Sequence, residues 1–278
     1  MPQRLYSASP SKLMAWLDCP RRYRMQYLDR PRPAARPPRA HSSVGVATHN
    51  ALRDFWDLAP PERTPTSVQR LVRQSWIDVG FRDPEQSGHW RARTTRWVTE
   101  YLRGVDRDRQ PLGVERTVSL HTETLIVTGR LDRLDDRGGE LVVVDYKTGR
   151  AQLTDDDART SLPLALYAVA VAAMFRRPCV RVELHHLPTA EVLAHEHTAQ
   201  TLQRKVCEAE SIALDLRRAD ADFAEVGVES ARFEPRVSPI CMWCDFRAHC
   251  PAGQLVGPEK SDWAGLESEG SSGGEPRD

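Results

Sequence analysis

The sequence is short of several things, and each shortage excludes something. Its longest apolar run, Leu164 to Phe175, falls well below the about 20 residues that a membrane-crossing helix requires, and it reads as buried helix instead. Met1 to Pro10 contains no apolar core of a secretion signal, so the cytoplasm is the expected location, with no membrane association. There is no Gly-x-x-x-x-Gly-Lys-Ser/Thr loop, hence no nucleotide-driven motor of its own, and no internal repeat. Lysine is nearly missing: Lys12, Lys147, Lys205 and Lys260 stand among 39 basic residues. Net charge is missing altogether, 39 Lys+Arg against 39 Asp+Glu. On its face that counts against a nucleic-acid binder. The 278 residues are 40% hydrophobic, enough for a real core in one large or two small domains.

The neutrality is a cancellation. Residues 1–110 hold 20 Lys+Arg and 11 Asp+Glu, a surplus of nine, which leaves 19 and 28 in residues 111–278, a deficit of nine. Within the basic half, the stretch from Arg21-Arg22-Tyr23-Arg24 to Arg39 interleaves arginine with aromatics and proline, as a phosphate-contacting surface does. Arg21, Arg22 and Arg24 are its candidate DNA contacts. A solvated helix face followed by a linker fits the same residues.

Local signals divide the chain. Ser9-Pro10 is an N-cap followed by proline at the first helical position, and it opens a helix bearing Leu13, Trp16 and Leu17. Cys19-Pro20 interrupts it, and a second short helix runs to Leu28. Four prolines between Pro31 and Pro38 mark a linker. Helical periodicity returns near Ser43–Leu58, Thr66–Val79 and Gln86–Val105. From Val114 the pattern becomes alternating, with strands expected at Val114–Leu120, Thr124–Leu134 and Glu140–Tyr146. A helix at Leu162–Phe175, strands near Val180–Leu187 and Glu191–His197, and a helix over Ala199–Arg218 follow. The end of the chain, residues 264–278, is a Gly/Ser/Glu tail expected to be disordered.

The segment Gly129 to Gly149 carries most of the chemistry. Gly138-Gly139 suits a two-residue hairpin turn, since both positions tolerate positive φ. A tight turn pairs Arg137 with Glu140 and, continuing the ladder, sets Asp132 opposite Asp145, their Cβ atoms roughly 5 Å apart. Two carboxylates that close destabilise a hairpin unless a cation sits between them, and oxygen donors of this kind favour Mg²⁺ or Mn²⁺. Strand alternation places Lys147 on the face of Asp145, where an ammonium can orient a water and offset charge developing on a phosphate. A surface hairpin with Asp/Lys ion pairs is the plainer alternative.

Gly129-Arg-Leu-Asp132 followed by Val143-Val144-Asp145-Tyr146-Lys147-Thr148-Gly149 resembles two motifs of the PD-(D/E)XK nucleases, specifically the RecB-like exonuclease branch. The resemblance implies a restriction-endonuclease-like α/β fold, α-β-β-β-α-β with a mixed sheet flanked by helices. It also implies a Gly-x-x-x-His motif upstream, matched by Gly45-Val-Ala-Thr-His49. His49 is then a third metal ligand and the Tyr146 carbonyl a further one. A Gln-x-x-x-Tyr motif is matched at Tyr167, but Pro163 stands where the glutamine belongs. Catalysis falls to Asp132, Asp145, Lys147 and Tyr167.

Of six cysteines, Cys241-x-x-Cys244 with Cys250 forms a thiolate-site pattern whose fourth ligand must come from elsewhere. Cys19 supplies it only if the two ends of the chain meet. Asp18-Cys19-Pro20 and Cys241 to Pro251 resemble the arrangement that holds a [4Fe-4S] cluster in AddB-type helicase-nuclease subunits and in CRISPR-associated relatives. Zinc is the alternative metal there, with His249 a possible ligand. Cys179 and Cys207 read as small buried hydrophobes. Ser9-x-x-Lys12 and Lys147-Thr148-Gly149 mimic a penicillin-binding serine enzyme, but the Ser-Asp-Asn element is absent. His185, His186, His195 and His197 read as solvated strand histidines without a role.

The organisation expected is therefore N-terminal helices (1–30), a Pro/Arg linker (31–42), a nuclease core (43–220) with a helical insertion at about 60–110, and a cysteine-rich iron-sulfur segment (221–255). The resemblance implies metal-dependent hydrolysis of DNA, single-stranded or single-stranded at its ends, in repair or recombination, with a separate helicase as a possible partner. Pro163 keeps open a second expectation, a weakly active or non-catalytic DNA-binding subunit of a helicase-nuclease complex.

Overall fold

A computed structural model describes residues 5–266. The N-terminal helix α1 (Pro10–Asp18) begins where Ser9 Oγ accepts the Lys12 amide, as the cap signal predicts. It gives way at Cys19 to α2 (Pro20–Tyr27). After the proline-rich arm come α3 (Ala40–Trp56), α4 (Pro65–Ser75) and α5 (Pro84–Arg103). One sheet is built from β1 (Tyr6–Ala8), β2 (Gly113–His121), β3 (Leu125–Arg137), β4 (Glu140–Lys147), β5 (Arg181–His186) and β6 (Glu191–Glu196). The short α6 (Asp155–Thr160) and then α7 (Leu162–Phe175) cross between the parallel neighbours β4 and β5. A long α8 (Ala199–Val226) follows. This is the mixed sheet flanked by helices of a restriction-endonuclease-like α/β fold. Strand β1 and helix α6 are too short to leave a periodic signature, and α8 runs on past Arg218 because Ala219 still packs into the core.

The hairpin register is the one that Gly138-Gly139 dictates: Arg137 pairs with Glu140 and the ladder continues to Arg133 with Val144. Both glycines have positive φ, 68° and 103°. The Leu-Val-Val-Val run of β4 is apolar throughout because each side of the strand meets a different core. Leu141 and Val143 pack with α7 and α8, while Val142, Val144 and Tyr146 pack with α3, α4 and α5.

Strand β3 organises the site. β2 lies along one side of it, and on the other side β1 covers residues 125–127 while β4 covers 133–137. Between them, residues 128–132 have no strand neighbour on that side. The alternation of β3 also slips here, since Leu125, Val127 and Leu131 join the same core as Leu134. A one-residue slip exchanges the faces of a strand, and this one falls at Asp132. On β2 the facing residue, Glu115, takes a left-handed φ of 47°, uncommon for a residue with a side chain and costing about 1–2 kcal/mol.

The N-terminal helices and arm meet the C-terminal segment. Arg21 Nε donates to the Phe233 carbonyl at 3.4 Å and Arg24 Nη1 to the Val228 carbonyl at 3.0 Å. The Arg36 amide donates to Asp245 O at 3.0 Å, and its guanidinium pairs with Asp262 at 2.8 Å and with Glu259. Arg39 bonds the Trp243 carbonyl and stacks over the Trp243 ring at 5.4 Å.

Several sequence expectations change. Ordered structure continues into the segment expected to be a tail: Ala264–Leu266 form a turn whose Leu266 is buried beside α3 and α5, and residues 267–278 lie outside the described residues. Cys179 is buried, but Cys207 is exposed, because the inward face of α8 runs through Val206, Ala209, Ala213 and Leu216. His185 and His186 are buried rather than solvated, because α5 and the turns after β4 and β5 cover that end of the sheet, and His197 is buried at the opposite end, its Nδ1 3.2 Å from Thr201 Oγ1 in the first turn of α8. His185 bonds Tyr101 Oη at 2.7 Å and Glu183 at 2.8 Å.

Candidate active site

The site lies where β3 and β4 part. Beyond the Arg133–Val144 pair, Asp132 stands next to Asp145 in register, but the backbone ladder stops and the Asp132 side chain takes its place: Tyr146 N donates to Asp132 Oδ2 at 2.8 Å. The N–H and C=O of one strand residue point to the same side. The Tyr146 carbonyl therefore turns toward the same opening, whereas the Lys147 carbonyl accepts Leu187 N at 2.9 Å on the β5 side. On the far side of β4 the Tyr146 hydroxyl accepts from Trp56 Nε1 at 3.1 Å and from the buried Arg133 at 3.3 Å. That anchor holds the strand end bearing Asp145 and Lys147.

His49 enters from α3. A side chain at Gly45, one turn earlier, would sit 3.4 Å from Thr148 Oγ1, so glycine there lets α3 approach the turn after β4 closely. His49 Nδ1 lies 3.3 Å from Asp132 Oδ1. Glu115 completes the group. One ligand atom from each of His49, Glu115 and Asp132 lies within 4.8 Å of the others, the only such triad among the described residues. Sequence reasoning did not find Glu115. The β2–β3 turn, Thr122-Glu123-Thr124, has neither glycine nor proline, so nothing fixes which β2 residue faces Asp132.

Lys147 Nζ lies 2.7 Å from Asp145 Oδ2, with its side chain 45% exposed. Tyr167, on α7, packs so close to β3 that a Cβ on Gly129 would lie 2.6 Å from its ring. Its hydroxyl would lie 2.9 Å from that same Cβ. The electrostatics are those of crowded acids around a partly closed pocket. Burial raises the Asp145 carboxyl above its ordinary value, and the charge of Asp132 adds to this while Lys147 opposes it. Burial works against charging His49, yet Asp132, Asp145 and Glu115 outweigh it and raise its pKa. The Tyr167 phenol is pushed up to about 12 by burial and by the two aspartates. Clustered carboxylates beside a histidine are the donor set of a hard divalent cation.

The four cysteines Cys19, Cys241, Cys244 and Cys250 line one cavity together with Arg21, Arg22 and Arg236. Arg236 N donates to Cys19 Sγ at 3.4 Å. No three of these sulfurs come within 4.8 Å of one another. His249 turns away, its Nε2 3.0 Å from the Ala34 carbonyl. Of the candidate DNA-contacting arginines, Arg22 pairs with Asp18 at 3.1 Å and Arg24 with Asp29 at 3.1 Å, and Arg21 spends its Nε on Phe233.

A sheet opening at Asp132 and Asp145, with Lys147 beside them and a histidine and glutamate in reach, defines a metal-dependent phosphodiesterase of the restriction-endonuclease-like class. The chain belongs to the PD-(D/E)XK nuclease superfamily, whose family model matches residues 7–251. Among solved structures it is similar to a putative exonuclease from Eubacterium rectale at 10% identity, covering 81% of this chain and 83% of that one with a TM-score of 0.48. It is also similar to SSO0001, at 14% identity, 90% and 88% coverage and a TM-score of 0.35. No curated protein matches the chain. Among the described residues no helix is long and apolar enough to cross a membrane.

Proposed function

We propose that this chain is a RecB-like deoxyribonuclease that hydrolyses DNA phosphodiesters exonucleolytically with Mg²⁺ or Mn²⁺. The observation that carries the reading is the convergence of His49, Glu115 and Asp132 within 4.8 Å beside the Asp145–Lys147 pair. His49, Glu115, Asp132, Asp145 and the Tyr146 carbonyl would hold the cation, which would supply Lewis-acid polarisation of the phosphate and a more acidic water. Lys147 orients the attacking water and offsets negative charge on the phosphate oxygens. Tyr167 closes the wall of the site over β3.

The cysteine cavity is assigned to a structural [4Fe-4S] cluster. A zinc tetrahedron with 2.3 Å bonds sets its thiolates about 3.8 Å apart, and an iron cube carries them on a wider frame. Arg21, Arg22 and Arg236 offset the negative charge of such a cluster, and the Arg236 amide supplies the kind of N–H···S contact that stabilises one. The cluster clasps α2 to the C-terminal segment. A repair or recombination setting beside a separate helicase goes with this reading.

The test is degradation of 5′- and 3′-end-labelled single- and double-stranded DNA by purified protein in Mg²⁺, Mn²⁺ or EDTA. Cleavage is expected with either cation, absent in EDTA, and lost by about a thousandfold or more in Asp145→Ala and Lys147→Ala. Activity unchanged in both variants would overturn the assignment. DNA binding without cleavage in any cation would favour the assembly-subunit reading, for which Pro163 in the first turn of α7, in place of an amide side chain, is the supporting feature.

A further inference from the structure

Arg130 lies two residues before Asp132, on the stretch of β3 that neither β1 nor β4 covers. Its main chain is held in the ladder with β2, paired with Thr117. Its side chain is 66% exposed, and its Nε meets Glu115 Oε2 at 2.7 Å. Glu115 is only 16% exposed and is the same carboxylate that approaches His49 and Asp132. One carboxylate cannot serve a guanidinium and a divalent cation fully at once, and a cation at that point repels the guanidinium. The neighbouring strand arginines are committed elsewhere: Arg116 stacks over Phe175 at 5.0 Å, and Arg133 is buried against Trp56 and Tyr146.

We propose that Arg130 anchors a phosphate of the DNA strand beside the cation site, and that Glu115 holds its guanidinium back until the cation draws Glu115 away. The proposal rests on the nuclease reading above. A released guanidinium offers a planar fork of N–H donors matched to two phosphate oxygens. Lys147, 45% exposed, is a point charge and already engages Asp145. Arg130 thus gives the site a second, geometrically selective contact that appears only when the cation is present. Because its guanidinium lies largely in solvent, the Arg130–Glu115 pair exchanges readily.

The experiment measures binding of a short fluorescein-labelled single strand by anisotropy, in Ca²⁺ and in EDTA, across a salt series. In Ca²⁺, Arg130→Ala is expected to bind about 5- to 20-fold more weakly than the native chain, with a log–log salt slope shallower by about 0.7 for the lost phosphate contact. In EDTA the same substitution should change affinity by less than about twofold. Arg130→Lys should recover only part of the loss. Glu115→Gln, which weakens the hold on Arg130, should tighten binding in EDTA, and that gain should vanish in the Glu115→Gln/Arg130→Ala double variant. Equal affinity of Arg130→Ala and the native chain in Ca²⁺ would overturn the proposal, as would an equal loss with and without the ion or no gain in Glu115→Gln. The native chain is first assayed for cleavage with Mn²⁺. Neither cleavage nor binding would overturn the nuclease reading itself, whereas cleavage with an unaffected Arg130→Ala would overturn the Arg130 role alone. Matching thermal melts of the variants show that the fold is intact.

Discussion

At the carboxylate site, Glu115, Asp132 and Asp145 come from three consecutive strands, and the backbone pays strain and a broken ladder to gather them. At the cysteine cavity, three cysteines sit in one short segment and the fourth, Cys19, arrives from the N-terminal helices. The first site is open on one side, with Lys147 and Arg130 exposed at its rim. The second is lined by Arg21, Arg22 and Arg236, and around it Arg21, Arg24, Arg36 and Arg39 all reach into residues 228–262. Part of the N-terminal arginine is used in clasping the C-terminal segment, largely through main-chain carbonyls, with Arg36 pairing Glu259 and Asp262. One region uses charge to hold the chain together, and the other gathers three carboxylates whose partners, Lys147, Arg130 and His49, stand at or near the surface.

The largest expected effect tests the clasp. Cys19→Ser and Cys241→Ser should each remove a brown chromophore with absorbance near ~400 nm. Each should also cost several kcal/mol of stability, because either loss opens the same closure between distant segments. Anaerobic purification, absorbance and thermal melts measure this. A colourless protein with stoichiometric zinc would sharpen the contrast differently, leaving the clasp and replacing its metal.

The next effect tests the opening. His49→Ala should weaken Mn²⁺ binding by about 10- to 100-fold in calorimetry. In the native chain, binding requires neutral His49, whose pKa is raised in the metal-free protein. Mn²⁺ affinity should therefore fall by up to about tenfold per pH unit as pH drops below that raised value. The His49→Ala variant should lose this part of the pH dependence. An identical pH profile in both proteins would remove His49 from the ligand set.

A smaller effect tests the wall of the site. Gly129→Ala places a methyl group where Tyr167 and Pro10 already stand, the nearest atom at 2.6 Å. It should cost about 1–3 kcal/mol in a urea melt and reduce cleavage by displacing Tyr167.

The smallest concerns Asp145. Its folded pKa is raised, so the folded state holds its proton more tightly than the unfolded one. Stability of the metal-free protein therefore declines as pH rises from the ordinary carboxylate range through the raised value. At neutral pH in EDTA, Asp145→Asn should be more stable than the native chain by roughly 2–4 °C, the shift that ~1 kcal/mol gives in a chain of this size. The same substitution should abolish metal-dependent stabilisation, so the order of the two melting curves reverses when Mn²⁺ is added.

Much of the fold and part of the site can be read from local chemistry. Ser9-Pro10 starts α1, the Gly138-Gly139 turn sets the β3–β4 register, and that register puts Asp132 next to Asp145 without any knowledge of the rest of the chain. The unbroken apolar run of β4 announces a strand buried on both faces, and it is one. These are short-range determinants, in which a turn type or a cap has one geometric outcome. Glu115 had no such determinant, because the β2–β3 turn carries no residue that fixes its register. The exposed Cys207 and the buried His185 depend on which helix face and which covering element are present. Periodicity over a few residues does not specify that.

The amino-acid sequence by itself therefore determined the hairpin, the carboxylate pair, the lysine beside it and the three-cysteine segment, since each lies within one turn or one ladder. Only the tertiary structure decided that His49 reaches Asp132 from α3, that Glu115 joins them through a left-handed backbone, and that Cys19 closes the cysteine cavity. Those meetings depend on how helices pack across the sheet and how the two ends of the chain are clasped. Packing is decided by the whole core, not by any segment of it.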